Sequence, residues 1–195
     1  MSKQKAQIYL ERSKAYSLLA TVFLEIPTAD SVGLIRKTFY KGTEEKAPFI
    51  EEMLEEIAID RTRLMRGLTP NGPTPPYQSA FSGTQASKTL QELMAFYTRC
   101  SFILNENAQE APDYLGVELA FAAQLCKKLA SLCEAESYDE ELDSVSDLLD
   151  EFIRDFMSPL VFAYTEVVAT HANTKYCRQF AEVLKEFIQS ELDYI

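Results

Sequence analysis

The side chains of this chain that could do chemistry are mainly carboxylates, and many of them lie in one acidic stretch. Residues 134–155 contain ten Asp or Glu and one Arg. Such a stretch could attract a basic peptide, because the guanidinium group of arginine binds a carboxylate bidentately. It is also typical of the solvated face of a helix. The sequence leaves both interpretations open.

A second group of carboxylates lies in residues 110–121, which read EAPDYLGVELAF. Pro112 and Asp113 are typical of the first turn of a helix, where a missing N–H costs nothing and a carboxylate interacts well with the helix dipole. Glu118 lies further along the same predicted helix. The stretch is therefore either an ordinary helix start or a functional site.

A third candidate group joins a helix to a proline-rich loop. Asp60 and Arg63 are three positions apart on a predicted helix, so their side chains can pair. The helix leads into residues 67–77, GLTPNGPTPPY, whose four prolines and two glycines predict an irregular loop. Residues 77–81, YQSAF, then supply aromatic anchors. Capping and helix-dipole effects do not explain why the helix that carries Asp60 and Arg63 leads directly into the proline-rich loop.

The remaining reactive side chains do not form a pattern typical of a metal or hydrolytic site. His171 is the only histidine and lies near a predicted helix end. The cysteines form no CxxC pair, so their spacing does not predict a zinc site. We expect them to be reduced, as in a reducing compartment. They are Cys100, Cys126, Cys133 and Cys177.

Residues 83–89, GTQASKT, resemble part of a phosphate-binding loop. The complete pattern needs a glycine directly before the lysine and a strand before the loop. Ser87 takes the place of that glycine before Lys88, and no strand is predicted here. The segment therefore favours an ordinary helix N-terminus capped by Ser or Thr.

The bulk composition restricts the classes of partner. The chain has 195 residues, 47% hydrophobic residues and a formal net charge of −11. An acidic field disfavours nucleic acid and anionic membranes, and favours a cationic partner. Acidity is also common in proteins that need it only for solubility. The apolar run SLLATVFL is short for a membrane span, so we expect a soluble, cytoplasmic protein.

The elements that position these groups are predicted to be helices throughout. Apolar residues recur at helical spacing, with no competing β-alternation. We predict a single all-α domain over residues 1–195, with roughly eight helices, divided by loop 67–77 into a smaller N-terminal and a larger C-terminal part. The predicted spans are 3–25, 29–40, 48–67, 87–104, 112–133, from a capping box at Ser137 to 157, 158–170, and from a cap at Thr174 onward. Predicted inward-facing residues include Met53, Leu54, Ile57, Leu64, Leu93 and Met94.

Together, these segments resemble the TorD/DmsD family of cytoplasmic chaperones for molybdenum-containing redox enzymes, with nitrate-reductase assembly proteins as relatives. One family pattern is matched by Glu110, Pro112, Asp113, Tyr114, Leu115, Glu118 and Leu119. A second is matched by Asp60, Arg63, Leu64, Gly67, Pro75, Pro76, Tyr77, Gln78 and Ser79. A weaker match lies in the first helix, at Tyr16, Leu18, Leu19 and Phe23. The chain departs from the family at Tyr114 and Phe156, where histidine is usual, and at Gln78, where glutamate is usual.

The resemblance implies a chaperone, not an enzyme, that binds the twin-arginine signal peptide of a precursor and often its mature part. Export is then delayed until the cofactor is inserted. We expect Asp113, with Glu110 or Glu118, to contact the arginines, while Tyr77, Tyr114 and Leu115 help to form the wall. The other candidate site residues are Pro112, Asp60, Arg63, Pro76, Gln78 and Ser79. From the residue spacing we expect no metal site, whereas the resemblance suggests a GTP site only by analogy and allows a homodimer.

Two alternatives stay open at this point. The chain could be a helical nucleotide-binding protein or hydrolase, although no complete phosphate loop is present. It could also be a general helical adaptor whose acidic surface takes any basic partner. A scrambled peptide of equal charge would then bind as well as a twin-arginine peptide.

Overall fold

The computed structural model describes residues 2–39, 53–67, 71–103, 110–135 and 139–195, and these form an all-α fold, which confirms the predicted class. The helices are α1 (Ser2–Leu24), α2 (Ala29–Phe39), α3 (Leu54–Arg66), α4 (Gln78–Phe81), α5 (Ala86–Arg99), α6 (Leu115–Glu134), α7 (Asp139–Phe152), α8 (Ser158–His171) and α9 (Lys175–Tyr194). A 3-10 turn (Gly83–Gln85) precedes α5, and a π-helical segment (Ile153–Met157) joins α7 to α8. Within the described residues, no helix is both long and apolar enough to span a membrane.

Helix α6 is the central helix, because thirteen of its 20 residues are buried. Its most extensive contact is with α1, whose buried face carries Tyr16, Leu19 and Phe23 at helical spacing. The two helices approach closely at Gly116, where an added Cβ would lie 2.7 Å from the Cβ of Phe23. The start of α6 therefore lies directly against the end of α1.

A buried arginine from α3 caps the end of α1. The last carbonyls of a helix have no donors of their own within the helix. Arg61 supplies donors for two of these carbonyls: its Nε donates to the carbonyl of Val22 at 2.5 Å, and its Nη2 donates to that of Phe23. Burial lowers the pKa of this guanidinium. Tyr114 also donates to the Phe23 carbonyl, at 2.9 Å, so α3, α1 and the start of α6 meet at one point.

Helices α7 and α8 are continuous through the π-helical segment, whereas the sequence predicts a new helix at Ser158–Pro159. The backbone changes to bonding over five residues, as in the bond from Ser158 N to the carbonyl of Ile153. Pro159 lies in the first turn of α8, where its missing N–H is tolerated. The chain therefore passes from one helix to the next without a loop.

The last helix is fixed at both ends. The side chain of Thr174 accepts a hydrogen bond from Cys177 N, which confirms the predicted cap. Near the other end, Glu191 accepts three hydrogen bonds from Arg12 and one from Tyr16, at 2.7–3.1 Å. These bonds tie α9 to α1.

Several sequence predictions of inward faces and boundaries are wrong. Met53, Leu54 and Met94 are exposed, because the buried faces of their helices centre on Ile57 and Leu64 in α3 and on Leu93, Phe96 and Tyr97 in α5. Helix α5 ends at Arg99 instead of near 104, and its N-cap is Gln85, with no side-chain cap from Ser or Thr. Gly67 does end α3, at a positive φ of 56°. The predicted helix start near 48 and the capping box at Ser137 lie outside the described residues.

Candidate functional site

The two motif segments found in the sequence lie side by side in the structure. Gln78 N donates to the carbonyl of Asp113 at 3.0 Å, and Leu115 N donates to that of Pro76 at 2.9 Å. These bonds form an antiparallel bridge between Tyr77 and Tyr114, whose ring centroids are 5.0 Å apart. We call the paired residues 76–79 and 113–115 the motif junction. It joins the end of the proline-rich loop to the start of α6.

Asp113 is part of this junction and is only 3% exposed. Its Oδ2 accepts a hydrogen bond from Ser79 N at 3.0 Å, in the first turn of α4. The N-cap of α6 is Tyr114, with no side-chain cap bond. The prediction that Asp113 lies in the first turn of its own helix is therefore wrong, because α6 begins at Leu115 and the carboxylate binds a helix more than 30 residues earlier in the chain.

Gln78 and Glu118 form a buried polar pair behind the junction. The Gln78 amide donates to the carbonyl of Phe156 in the π-helical segment at 2.7 Å and to Glu118 Oε2 at 3.3 Å. Glu118 is fully buried, and among the described residues its Oε1 has no hydrogen-bond partner. Burial raises the pKa of Glu118 well above its ordinary value, and the nearby charge of Asp113 adds to this.

Asp60 holds the turn between α8 and α9. Its Oδ2 accepts from Asn173 N, Thr174 N and Thr174 Oγ1 at 2.8–2.9 Å. Its Oδ1 accepts from Arg63 at 2.7 Å, so the pairing predicted from the sequence is confirmed. Arg63 also donates to the carbonyl of His171. Burial raises the pKa of Asp60, but these hydrogen bonds outweigh it and lower the pKa below its usual range.

Four residues at the edge of the motif junction form what we call the rim cluster: Arg66, Tyr77, Glu110 and Tyr114. Arg66 binds Glu110 bidentately, with Nη1 to Oε2 at 2.8 Å and Nη2 to Oε1 at 2.5 Å. Tyr77 Oη donates to Glu110 Oε2 at 3.4 Å. The Arg66 guanidinium carbon lies 5.7 Å from the centroid of the Tyr114 ring. The cluster thus holds a guanidinium between a carboxylate and an aromatic face.

The chemistry available at this site is binding, through charge-assisted hydrogen bonds and aromatic contacts. Among the described residues, no group of three or more His, Cys, Asp or Glu side chains could hold a metal ion. Among the described residues no disulfide bond links the cysteines, which is consistent with their predicted reduced state. Burial raises the pKa of the thiols of Cys100, Cys126 and Cys133, which lowers their reactivity.

Comparison with protein families gives a match over both motif segments. The family model of the nitrate reductase delta subunit matches residues 37–166, which is more than half of the chain. The chain belongs to the nitrate reductase delta subunit family. This membership confirms the resemblance to TorD-like chaperones and places the chain among the maturation chaperones of redox enzymes.

One solved structure with the same fold is a candidate redox enzyme maturation protein from Archaeoglobus fulgidus. It is 20% identical to this member of the nitrate reductase delta subunit family, with a TM-score of 0.57, and the alignment covers 91% of this chain and 93% of that one. At this identity, the likeness supports the shared all-α fold. Comparison with curated proteins gives no significant match.

In this delta subunit family member, the predicted site residues divide into three places. The motif junction and the buried pair behind it contain Pro76, Tyr77, Gln78, Ser79, Asp113, Tyr114, Leu115 and Glu118. Asp60 and Arg63 lie apart from these, at the α8–α9 turn. Glu110, Tyr77 and Pro112 are partly exposed, the first two within the rim cluster, whereas Tyr114 and Leu115, predicted as wall residues, are buried. The direct contact of Asp113 or Glu118 with a peptide arginine stays a prediction.

Sequence reasoning missed Arg66 and the capping role of Arg61. Arg66 is the last residue of α3, so the sequence shows it only as a cation in a last helical turn, which the helix dipole explains. Its partner Glu110 is 44 residues away, and no local pattern connects them. A signal was available for Arg61, because an arginine at a position that periodicity places on the buried face of α3 requires partners.

Proposed function

We propose that this chaperone binds the twin-arginine signal peptide of a molybdenum-containing oxidoreductase precursor, and part of the mature protein, so that cofactor insertion precedes export. Family membership supports a redox-enzyme client. The observation that carries the proposal is the rim cluster, which accommodates a guanidinium group at the junction of the two family motifs.

Glu110 is the carboxylate of the two motifs best placed to contact a peptide arginine. It lies at the rim, whereas Asp113 and Glu118 are buried behind it. Tyr77 is partly exposed and directs its hydroxyl toward Glu110. In this proposal Asp113 positions the peptide site by holding α4, and Glu110 forms the ion pair.

The acidic surface supports capture of a cationic segment. On α7, Glu140, Glu141, Asp143 and Asp147 are exposed, and the formal net charge of the chain is −11. A field of this sign raises the rate at which a basic peptide arrives, and salt screens the effect. Steering by the field does not distinguish one basic peptide from another, so specificity must come from local contacts such as the rim cluster.

The test is calorimetric titration with a synthetic peptide that carries two adjacent arginines followed by an apolar stretch. We expect the wild type to bind it more tightly than a scrambled peptide of the same composition. Glu110→Gln should weaken binding of the arginine peptide roughly tenfold or more, since a hydrogen bond to a charged group contributes about 1.5–3 kcal/mol. Circular dichroism checks that each variant is folded.

Glu151→Gln is the matched control. Glu151 pairs with Arg99 at 2.5 Å, so the change also breaks a surface ion pair and removes one negative charge. It should leave peptide affinity nearly unchanged. Equal binding of the scrambled peptide would instead favour a general adaptor for basic partners, and no binding of either peptide would refute the proposal.

A further inference from the structure

The rim cluster contains its own guanidinium. Arg66 donates one hydrogen bond to each oxygen of the Glu110 carboxylate, and its guanidinium lies over the Tyr114 ring. The hydrogen bonds with Glu110 raise the pKa of Arg66, so the side chain is a permanent cation. A client arginine that approached Glu110 would need the same two carboxylate oxygens.

Arg66 is the most exposed of the three arginines on α3. Arg61 is buried and caps α1, while Arg63 is fixed by Asp60 and the carbonyl of His171. The Arg66 side chain is 37% exposed and that of Glu110 is 12% exposed. Arg66 donates to both Glu110 oxygens and lies next to the Tyr77 hydroxyl. An ion pair whose arginine is exposed can open, because water solvates the guanidinium in the open state.

The groups around Arg66 also select for its chemistry. A guanidinium is planar, so it can bind Glu110 through two parallel bonds while its face lies toward an aromatic ring. An ammonium group makes a point contact and is more strongly hydrated. The site that Arg66 occupies is therefore suited to arginine over lysine.

We infer that Arg66 is an exchangeable internal ligand: it occupies Glu110 in the free protein and is displaced when an arginine of the client binds. The inference rests on the proposed function and adds its regulation. In the free protein the ion pair with Arg66 occupies Glu110. A basic segment that makes no other contact with the protein therefore binds poorly. A client with a second arginine or an apolar contact displaces Arg66, because those additional contacts favour the bound state.

Removal of the competitor should strengthen binding. If the closed pair outweighs the open state by about two to five to one, the upper part of the range for solvent-exposed ion pairs, the apparent affinity is reduced roughly three- to sixfold. Arg66→Gln, which keeps much of the side-chain stem, should therefore bind the twin-arginine peptide roughly three- to sixfold more tightly than the wild type. The gain should be absent in the double variant Arg66→Gln with Glu110→Gln.

The matched control is Arg99→Gln. Arg99 also forms a 2.5 Å ion pair with a glutamate, and its guanidinium carbon lies 4.5 Å from the Phe96 ring centroid. The two variants make the net charge more negative by the same amount, so general attraction of a basic peptide changes equally. We expect the gain in peptide affinity to be larger for Arg66→Gln than for Arg99→Gln. With a peptide that carries lysines in place of the two arginines, the gain for Arg66→Gln should be smaller.

The outcomes separate this inference from the proposed function. If the wild type binds the arginine peptide more tightly than the scrambled peptide, but Arg66→Gln binds no better than Arg99→Gln, Arg66 is a structural residue and the exchange is refuted. If Arg66→Gln weakens binding while its thermal midpoint is unchanged, Arg66 contacts the peptide instead of competing with it. Absence of any peptide binding by the wild type refutes the proposed function itself.

Discussion

Glu118 gives the sharpest test of how the motif junction is built. Its carboxyl group is 0% exposed, accepts one 3.3 Å bond from Gln78, and lies close enough to Asp113 for that charge to matter. Burial and the Asp113 charge both disfavour the ionised form, and the single amide bond is too little to restore it. We therefore expect the neutral acid to be the form that the folded protein prefers.

The sign of the pH dependence follows directly. The unfolded chain loses the Glu118 proton near its ordinary pKa of about 4.3, whereas the folded protein keeps it to higher pH, because burial raises that pKa. Between these two pKa values, the folded state binds more protons than the unfolded state. The free energy of unfolding contributed by Glu118 is thus fully present below about pH 4 and falls by at most about 1.4 kcal/mol per pH unit above it.

Glu118→Gln removes this titration and keeps the shape and the acceptor for Gln78. We expect the variant to gain stability relative to the wild type as pH rises, by up to about 2.7 kcal/mol between pH 5 and pH 7. Urea unfolding at pH 5, 6, 7 and 8, followed by circular dichroism, measures the difference. Glu134→Gln, at an exposed position on the same helix, controls for the loss of one carboxylate.

A difference between Glu118→Gln and the wild type that stays constant with pH would refute this reasoning. So would a variant that is less stable at pH 7 than at pH 5, relative to the wild type. The same protein also tests the sequence prediction that Glu118 contacts a peptide arginine. If Glu118 contacts a peptide arginine directly, Glu118→Gln should lose affinity for the twin-arginine peptide. If Glu118 is instead a buried neutral acid, that affinity should change by no more than about twofold.

Two further variants test the other predicted carboxylates. Asp60→Ala leaves the N–H groups of Asn173 and Thr174 without their acceptor. The free energy of unfolding at pH 7, measured by urea unfolding, should therefore fall by about 2–4 kcal/mol. A loss below about 1 kcal/mol would contradict this role of Asp60. Since hydrogen bonds lower the Asp60 pKa, this stabilisation is present above about pH 4 and is lost as pH falls through the folded-state pKa. Asp113→Asn keeps an oxygen that can accept the hydrogen bond from Ser79 N. We therefore expect the affinity of the variant for the twin-arginine peptide to stay within about twofold of the wild type. A loss of about fivefold with an unchanged thermal midpoint would instead show that Asp113 contacts a peptide arginine directly.

Local features of the structure could be predicted from the sequence because their causes are local. Helical spacing of apolar residues gives the helices, Gly67 ends α3 because it adopts a positive φ, and Thr174 caps α9 with its own hydroxyl. The pairing of Asp60 with Arg63 is equally local, since one helical turn separates them. In each case, the residues that make the interaction are within a few positions of one another.

The site depended on contacts that no local pattern contains. Asp113 interacts with α4, Arg66 with Glu110, and Gln78 with the π-helical segment. Periodicity also cannot predict that segment, because its bonding departs from the helical repeat by one residue. The family resemblance identified two segments that the structure places side by side, but the assignment of each side chain to surface or interior required the fold.

The burial of Tyr114 also changes how its departure from the family pattern is understood. Tyr114 stands where histidine is usual, and its hydroxyl donates to the carbonyl of Phe23 at the capped end of α1. Its ring lies beneath Arg66 and beside Tyr77. These contacts need a neutral donor and an aromatic face, which tyrosine supplies without titrating near neutral pH, since burial raises its pKa. The position therefore requires no proton transfer, and tyrosine can serve here if the site acts by binding a guanidinium.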